Sequence, residues 1–430
     1  MSYPSVDTIR KENRINIVLF IIIIDYVSGI LIEISKNKTK LVWLLFSIIS
    51  NIGLLAYFKY YNFFVDVFTA YLPNIKHLDI ILPIGLSFHT FQSLNYTIEV
   101  YKGNQKAEKH IGYFANYVLF FPQMVAGPIE RYDSLGKELR TKKHFDYNNI
   151  SNGLRLILYG LFVKMCIADN FAPLANEFYS NPTLYYSSSA WKALVAFSIQ
   201  IYADFYGYST IAVGAARLLG IHLINNFKQP YFATSFYQFW QRWHISLTTW
   251  FRNYVFFPMG GSYVNTFRWI INILFVFALS GFWHGANYTF IIWGFLHGLF
   301  YIIEKGFVKL IPETIKTNQL FLVIGAISTF LLVTLIWVFF RAENFDKALL
   351  VLKQCFTYTF EAKNYLLINI QTLAMLAVFI VFELVIYKSR FDLFLQNKNT
   401  SILWIVYVLL AFCLLLFSGI QSYQFIYFQF

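Results

Sequence analysis

Two histidines stand in unusual company. His284 lies in Ser280-Gly-Phe-Trp-His-Gly-Ala-Asn287, within a strongly apolar stretch. A polar, titratable side chain at membrane depth is costly and is a functional hypothesis by default. With an unperturbed pKa of about 6.5, imidazole is also the natural general base near neutral pH. Gly281 and Gly285 would let the backbone break and a substrate approach, although their spacing equally fits close helix packing without chemistry. His244 follows Arg242 and Trp243, and a neighbouring arginine or second histidine could orient it or stabilise charge. A hydrogen-bonded structural histidine fits the same residues. Asp204, in Tyr202-Ala-Asp-Phe-Tyr-Gly-Tyr208, is a third costly group. It could orient a histidine, pair with an arginine or form a purely structural ion pair. His89 and His297 read as packing or cavity-lining residues. Cys166, Cys355 and Cys413 have no metal-ligand spacing, and the chain shows no P-loop, dinucleotide fingerprint, nucleophile elbow or zinc pattern. No metal and no tightly bound cofactor are expected.

The elements that hold these groups are set by composition. Of 430 residues 58% are hydrophobic and 13% charged, where soluble chains carry about 25% charged. Aromatics reach 21%, which suits lipid-facing surfaces and interfacial belts. The formal charge of +12 lies in short clusters between apolar runs, the pattern of basic cytoplasmic loops rather than a nucleic-acid surface. No cleavable leader is read in the first apolar run, which follows a polar 1–16 stretch.

A crossing needs roughly 20 apolar residues. The pattern predicts spans at 15–34, 41–60, 78–100, 151–170, 190–216, 319–340, 365–387 and 401–420, with two short crossings inside 268–304 broken near Gly281–Gly285. Basic loops at Lys36–Lys40, Lys102–Lys109 and Arg131–Lys143 cannot all be cytoplasmic if 111–126 crosses once. That segment, running into Pro122, Gly127 and Pro128, is therefore predicted to be a re-entrant hairpin. Residues 236–258 read as one helix, started by a capping box at Ser235 and Gln238 and ended before Pro258. It either lines a cavity or lies at the interface, anchored by Trp240, Trp243 and Trp250. The expected fold is all-α, a polytopic bundle of about 9–11 membrane segments with re-entrant pieces around a central cavity.

Several motifs in order resemble the membrane-bound O-acyltransferase family, in its alginate O-acetylation branch. They are Phe58-Lys-Tyr-Tyr-Asn-Phe63, Pro83-Ile-Gly-Leu-Ser-Phe88 with Thr90-Phe-Gln92, Phe120-Phe-Pro-Gln-Met-Val-Ala-Gly-Pro-Ile129, and Asp204 to Ser209. Phe239-Trp-Gln-Arg-Trp-His-Ile-Ser-Leu247, Trp250-Phe-Arg252, Ser280 to Asn287 and the closing Phe425-Ile-Tyr-Phe-Gln-Phe430 complete the set. The resemblance implies one membrane-embedded domain over 1–430, its motif core at about 78–304 and its C-terminal helices at 319–420. It implies His284 as catalytic residue and His244 as a second residue near the reaction path. Asp204, Trp240, Arg242, Trp243, Arg252 and Asn287 would border the substrate or donor cavity; on physical grounds Arg242 or backbone N–H groups could stabilise the developing oxyanion.

The same resemblance implies acetyl-CoA as donor, a cytoplasmic-membrane location, a polysaccharide acceptor and an extracytoplasmic acetyltransferase partner. Thr210 and Asn253 stand where the family pattern has acids, Gln241 where it has a second arginine, and the family commonly carries further apolar segments before the region matching 20–34. D-alanyl transfer to teichoic acid from a carrier protein is the alternative within the family. A small-molecule transporter or an inert scaffold of a polysaccharide complex is the alternative outside it.

Overall fold

The computed structural model describes residues 6–418 and 423–426, apart from 70, 72–73, 84, 125–126, 358–363 and 388, with side chains from residue 16 onward. Ile84, Val125, Ala126 and the closing 427–430 of the motifs named above therefore lie outside the described residues. The described residues form helices and no strand, with one isolated bridge between Tyr185 and Asn364. Seven helical stretches are long and apolar enough to cross a membrane: 16–34, 37–68, 147–180, 266–284, 288–310, 319–341 and 400–417. Three predicted spans differ. Residues 78–100 give an extended stretch followed by a helix over Leu86–Lys102, Ile370–Val385 is shorter than a full crossing, and Ser187–Leu218 is long but carries Gln200 and Asp204 in its buried interior. The chain separates into two compact units, one of residues 1–145 with 219–224 and one of 146–218 with 225–430.

In the first unit Val6–Ile34, Asn37–Leu55 and Leu86–Lys102 pack around a buried polar knot. The Asp25 carboxylate accepts the Ser47 hydroxyl at 2.6 Å and the Asn51 amide at 2.9 Å, and the Thr97 hydroxyl lies 3.1 Å from that of Ser47. Such interhelical bonds replace the water that hydrocarbon cannot supply.

One end of this unit gathers its charge. Arg131 reaches Glu99 at 3.3 Å, Arg140 and the Tyr132 hydroxyl both bond Glu108, and the Ala107 N–H donates to Glu33. Glu138 accepts the His222 N–H, and Glu130 the Ile224 N–H at 2.6 Å. Burial works against the ionised Glu108, but the Tyr132, His110 and Arg140 donors hold its carboxyl below the usual range. The loops on either side of Ile111–Val118 thus meet at one end, so that helix and the turn Phe121–Gln123 enter and leave by the same side. The loops flanking the segment 111–126, read from loop charge as a re-entrant hairpin, thus lie close together, with 125–126 outside the described residues. Cysteines placed at exposed Lys106 and Lys142 should both react with a membrane-impermeant maleimide from the same face of sealed vesicles; labelling from opposite faces would refute the hairpin.

In the second unit Tyr147–Leu161 lies antiparallel on Ser187–Leu218. A methyl group added at Gly153 would sit 2.8 Å from the Gly214 carbonyl oxygen, and one at Gly160 2.8 Å from that of Gly207. Small residues let the backbones approach this closely, the usual device where lipid gives no hydrophobic drive. Thr266–His284 and Tyr288–Leu310 form a hairpin of the same kind, with Gly281 against the Phe290 carbonyl and Gly294 against that of Phe277. The packing reading of Gly281 holds, and the helix ends at His284.

Charged side chains lie at both ends of the second unit, Arg341, Glu343 and Lys347 among them beside the turn after His284. One end carries Lys228, Arg242, Arg252, the Lys305 ammonium over the Trp269 ring, and Arg390. At the other, the turn after His284 is tied down by the Asn287 amide, which donates to the Glu343 carbonyl at 2.8 Å.

Candidate functional site

His284 is the last residue of its helix, and its ring is walled by aromatics. Trp283 lies 4.9 Å away, Trp293 5.2 Å and Phe340 5.3 Å between ring centroids. Trp293 stacks on Trp337 at 5.4 Å, and Trp337 meets Trp243 at 5.1 Å. A continuous series of indoles therefore runs from His284 to the residue before His244.

The segment holding His244 is not the single helix expected. Ser235 does cap its start, accepting the Gln238 N–H at 3.0 Å, and Glu304 accepts the N–H of Phe236. The helix then stops at Arg242, resumes over Ile245–Phe251, and continues as a π turn, Arg252–Phe256. His244 forms the break, at φ 42° in the left-handed region. A bulky non-glycine residue there costs of order 1–3 kcal/mol, so neighbouring structure must impose it. The 226–228 strip does so: the Lys228 N–H donates to the Arg242 carbonyl and the Ile245 N–H to that of Asn226, both at 3.0 Å. The His244 side chain is wholly buried, edge-on to Phe205 at 4.7 Å, and neither ring nitrogen has a hydrogen-bond partner among the described residues.

Trp240, Arg242 and Arg252 share a cavity of about 630 Å³ at the basic end. Lys228 and Arg390 also line it, and sequence reasoning missed both, since neither lies in a motif. Arg242 is steadied by the Tyr387 hydroxyl at 3.2 Å, and Arg390 pairs with Asp392. The cavity presents four cations to whatever enters, a lining suited to phosphate or carboxylate groups. Neither His244 nor His284 lines it.

Asp204 pairs with neither a histidine nor an arginine. Its partner is Lys164, whose ammonium lies 2.5 Å from Asp204 and 2.7 Å from Asp169 and donates to the Tyr423 carbonyl at 3.0 Å. Asp204 also accepts the Ile426 N–H at 2.7 Å. Asn287 caps the following helix by accepting the Thr289 N–H at 3.0 Å. The structure so brings three of the eight candidates to one cavity, sets His284, Trp243 and His244 along an aromatic series, and gives Asp204 and Asn287 tying contacts. Among the described residues no cluster of three or more His, Cys, Asp or Glu side chains could hold a metal.

With this geometry in place, comparison with known proteins is decisive for the family. The sequence model of the membrane-bound O-acyltransferase family matches residues 108–343, more than half of the chain and inclusive of all eight candidates. The chain belongs to that family. It is 38% identical over 316 residues to "Probable alginate O-acetylase AlgI" of Azotobacter vinelandii, covering 71% of this chain and 61% of the relative. It is 37% identical over 346 residues to the protein of that name from Pseudomonas aeruginosa, covering 78% and 65%. To the peptidoglycan O-acetyltransferase of Helicobacter pylori it is 34% identical over 348 residues, covering 75% and 66%. The teichoic acid D-alanyltransferase of Streptococcus thermophilus is more distant, 27% identical over 244 residues. The chain thus spans slightly less than two thirds of the length of the relatives it resembles more.

As a family member built around a buried ion pair, the second unit should be sensitive to its single central cation. Lys164→Met leaves two buried carboxylates uncompensated and should cost roughly 3–5 kcal/mol, read as a lower thermal unfolding temperature in detergent. Asp204→Asn, which can still accept the Ile426 N–H, should cost less.

Proposed function

We propose that the chain is an O-acyltransferase of the cytoplasmic membrane that passes an acyl group, acetyl by preference, from a cytoplasmic thioester toward an extracytoplasmic polysaccharide or a partner acetyltransferase. The observation that carries this reading is the separation of two chemistries within one unit. A cavity lined by four cations opens at the basic end, and an imidazole ends a membrane helix at the other. Excess Lys and Arg mark the cytoplasmic side, so the cationic cavity faces the compartment that holds acyl thioesters. Acetyl-CoA, with its phosphates, fits that cavity in charge. The greater identity to acetylases than to the D-alanyltransferase favours acetyl over D-alanyl transfer.

Chemically, neutral His284 takes the proton of an acceptor hydroxyl as that oxygen bonds to the thioester carbonyl carbon. The carbon–sulfur bond then breaks, and the imidazolium returns the proton to the departing sulfur. General-base assistance of this kind contributes roughly 10²–10⁴-fold. His284→Ala should therefore drop ester-linked acetate on extracellular glycan to background while the protein still folds and inserts. Wild-type ester content in that variant would end the assignment. Arg242→Ala should instead raise the KM for acetyl-CoA by roughly tenfold or more, the value of one charge-assisted contact, with kcat largely kept. An unchanged KM would remove the cavity from the donor path.

A further inference from the structure

The aromatic cluster beside His284 contains buried nitrogens that have no hydrogen-bond partner among the described residues. His297 is wholly buried, and neither ring nitrogen has a hydrogen-bond partner among the described residues. The indole Nε1 of Trp293, itself buried, likewise has none among them. The two residues are four apart on Tyr288–Leu310, so their side chains lie on one face of the helix, with ring centroids 4.9 Å apart. Trp293 touches the His284 ring at 5.2 Å. On the other side His297 lies 5.0 Å from Trp240, which lines the cationic cavity. The pair thus stands between the cavity and His284.

Buried N–H groups are seldom left without an acceptor, because the desolvation they suffer is then uncompensated. Simple packing at these positions would be served by phenylalanine, which has no such liability. We propose that Trp293 and His297 are the two N–H donors that receive the acyl carbonyl oxygen during transfer, a proposal resting on the acyltransfer reading above. As the acceptor oxygen bonds to the carbonyl carbon, the C=O π pair moves onto the carbonyl oxygen. The indole N–H and the single N–H of a neutral imidazole stabilise that charge without giving up a proton. The pair returns to re-form C=O as the carbon–sulfur bond breaks, and the sulfur leaves with the proton that His284 collected. A water-poor aromatic surround strengthens both donors, since few other dipoles screen them.

The test uses vesicles of the native host membrane containing the full chain, fed labelled acetyl-CoA at varied concentration. His297→Phe should lower the maximal rate of ester formation roughly 10²–10³-fold with little change in KM, the effect of losing one oxyanion donor. His297→Asn, which restores an N–H in a poorer packing shape, should recover part of that loss. A packing role predicts the reverse order, so Asn equal to or below Phe overturns the proposal. Should His297→Phe fail to fold, Trp293→Phe carries the test, since it removes the indole N–H while keeping an aromatic ring on Trp337. A fall in rate of at least tenfold at constant KM supports the proposal, and an unchanged rate overturns it. Wild-type vesicles lacking His284-dependent transfer would overturn both readings, whereas His284-dependent transfer that ignores Trp293 and His297 would overturn this one alone.

Discussion

One ammonium group organises the centre of the second unit. Lys164 lies in a π turn, Phe162–Ala168, and from there reaches Asp169 in its own helical run, Asp204 on the long buried helix and the Tyr423 carbonyl near the end of the described chain. In a membrane interior an unpaired charge is expensive, so each of these contacts is obligatory once the others exist. The extra residue of the π turn shifts the register enough to aim the side chain inward, a frequent use of that irregularity at functional sites. Phe205, the next residue after Asp204, packs on His244 and on Phe425. The ion pair therefore fixes, at one remove, the ring that the break in the 236–251 region has already placed.

That break shows how position was chosen over local comfort. A continuous helix from Ser235 to Pro258 would keep His244 in helical backbone and save the cost of its left-handed conformation. The 226–228 strip instead bonds the carbonyl of Arg242 and the N–H of Ile245, groups released at the interruption. With those satisfied, Trp240 and Arg242 stay on the cavity while His244 turns into the dry side against Phe205. The aromatic richness of the chain has a corresponding use here. Trp293, Trp337 and Trp243 form rigid walls in lipid while offering N–H edges, which aliphatic side chains of equal volume could not.

Much of this was legible in local pattern. Hydrophobic runs gave seven of the ten expected spans, the Ser235 and Gln238 spacing gave the cap, and the Gly281–Gly285 stretch gave the turn between two helices. What stayed hidden depends on residues distant in sequence. Lys164 lies 40 positions from Asp204 and outside any motif, and Arg390 reaches the cationic cavity from a different helix-connecting segment. His244 was visible as a residue, but its φ was not, because capping and periodicity both favoured an unbroken helix. His297, a packing or cavity-lining residue by its sequence, is wholly buried among aromatic rings, and no charged neighbour in the sequence marks it out.

The departures from the family pattern can now be weighed by position. Gln241, where the resemblance implies an arginine, lines the cationic cavity, and Asn253, where it implies an acid, accepts the Arg252 Nε–H through its side-chain oxygen at 3.4 Å. Thr210, in place of another acid, spends its hydroxyl on the Tyr206 carbonyl at 2.7 Å, beside a small pocket that Arg390 also lines. Arg390 finds its carboxylate in Asp392 instead. The aromatic series leading to His284 contains none of these three positions, so they bear on the cationic cavity and its surroundings and not on the walls of that ring.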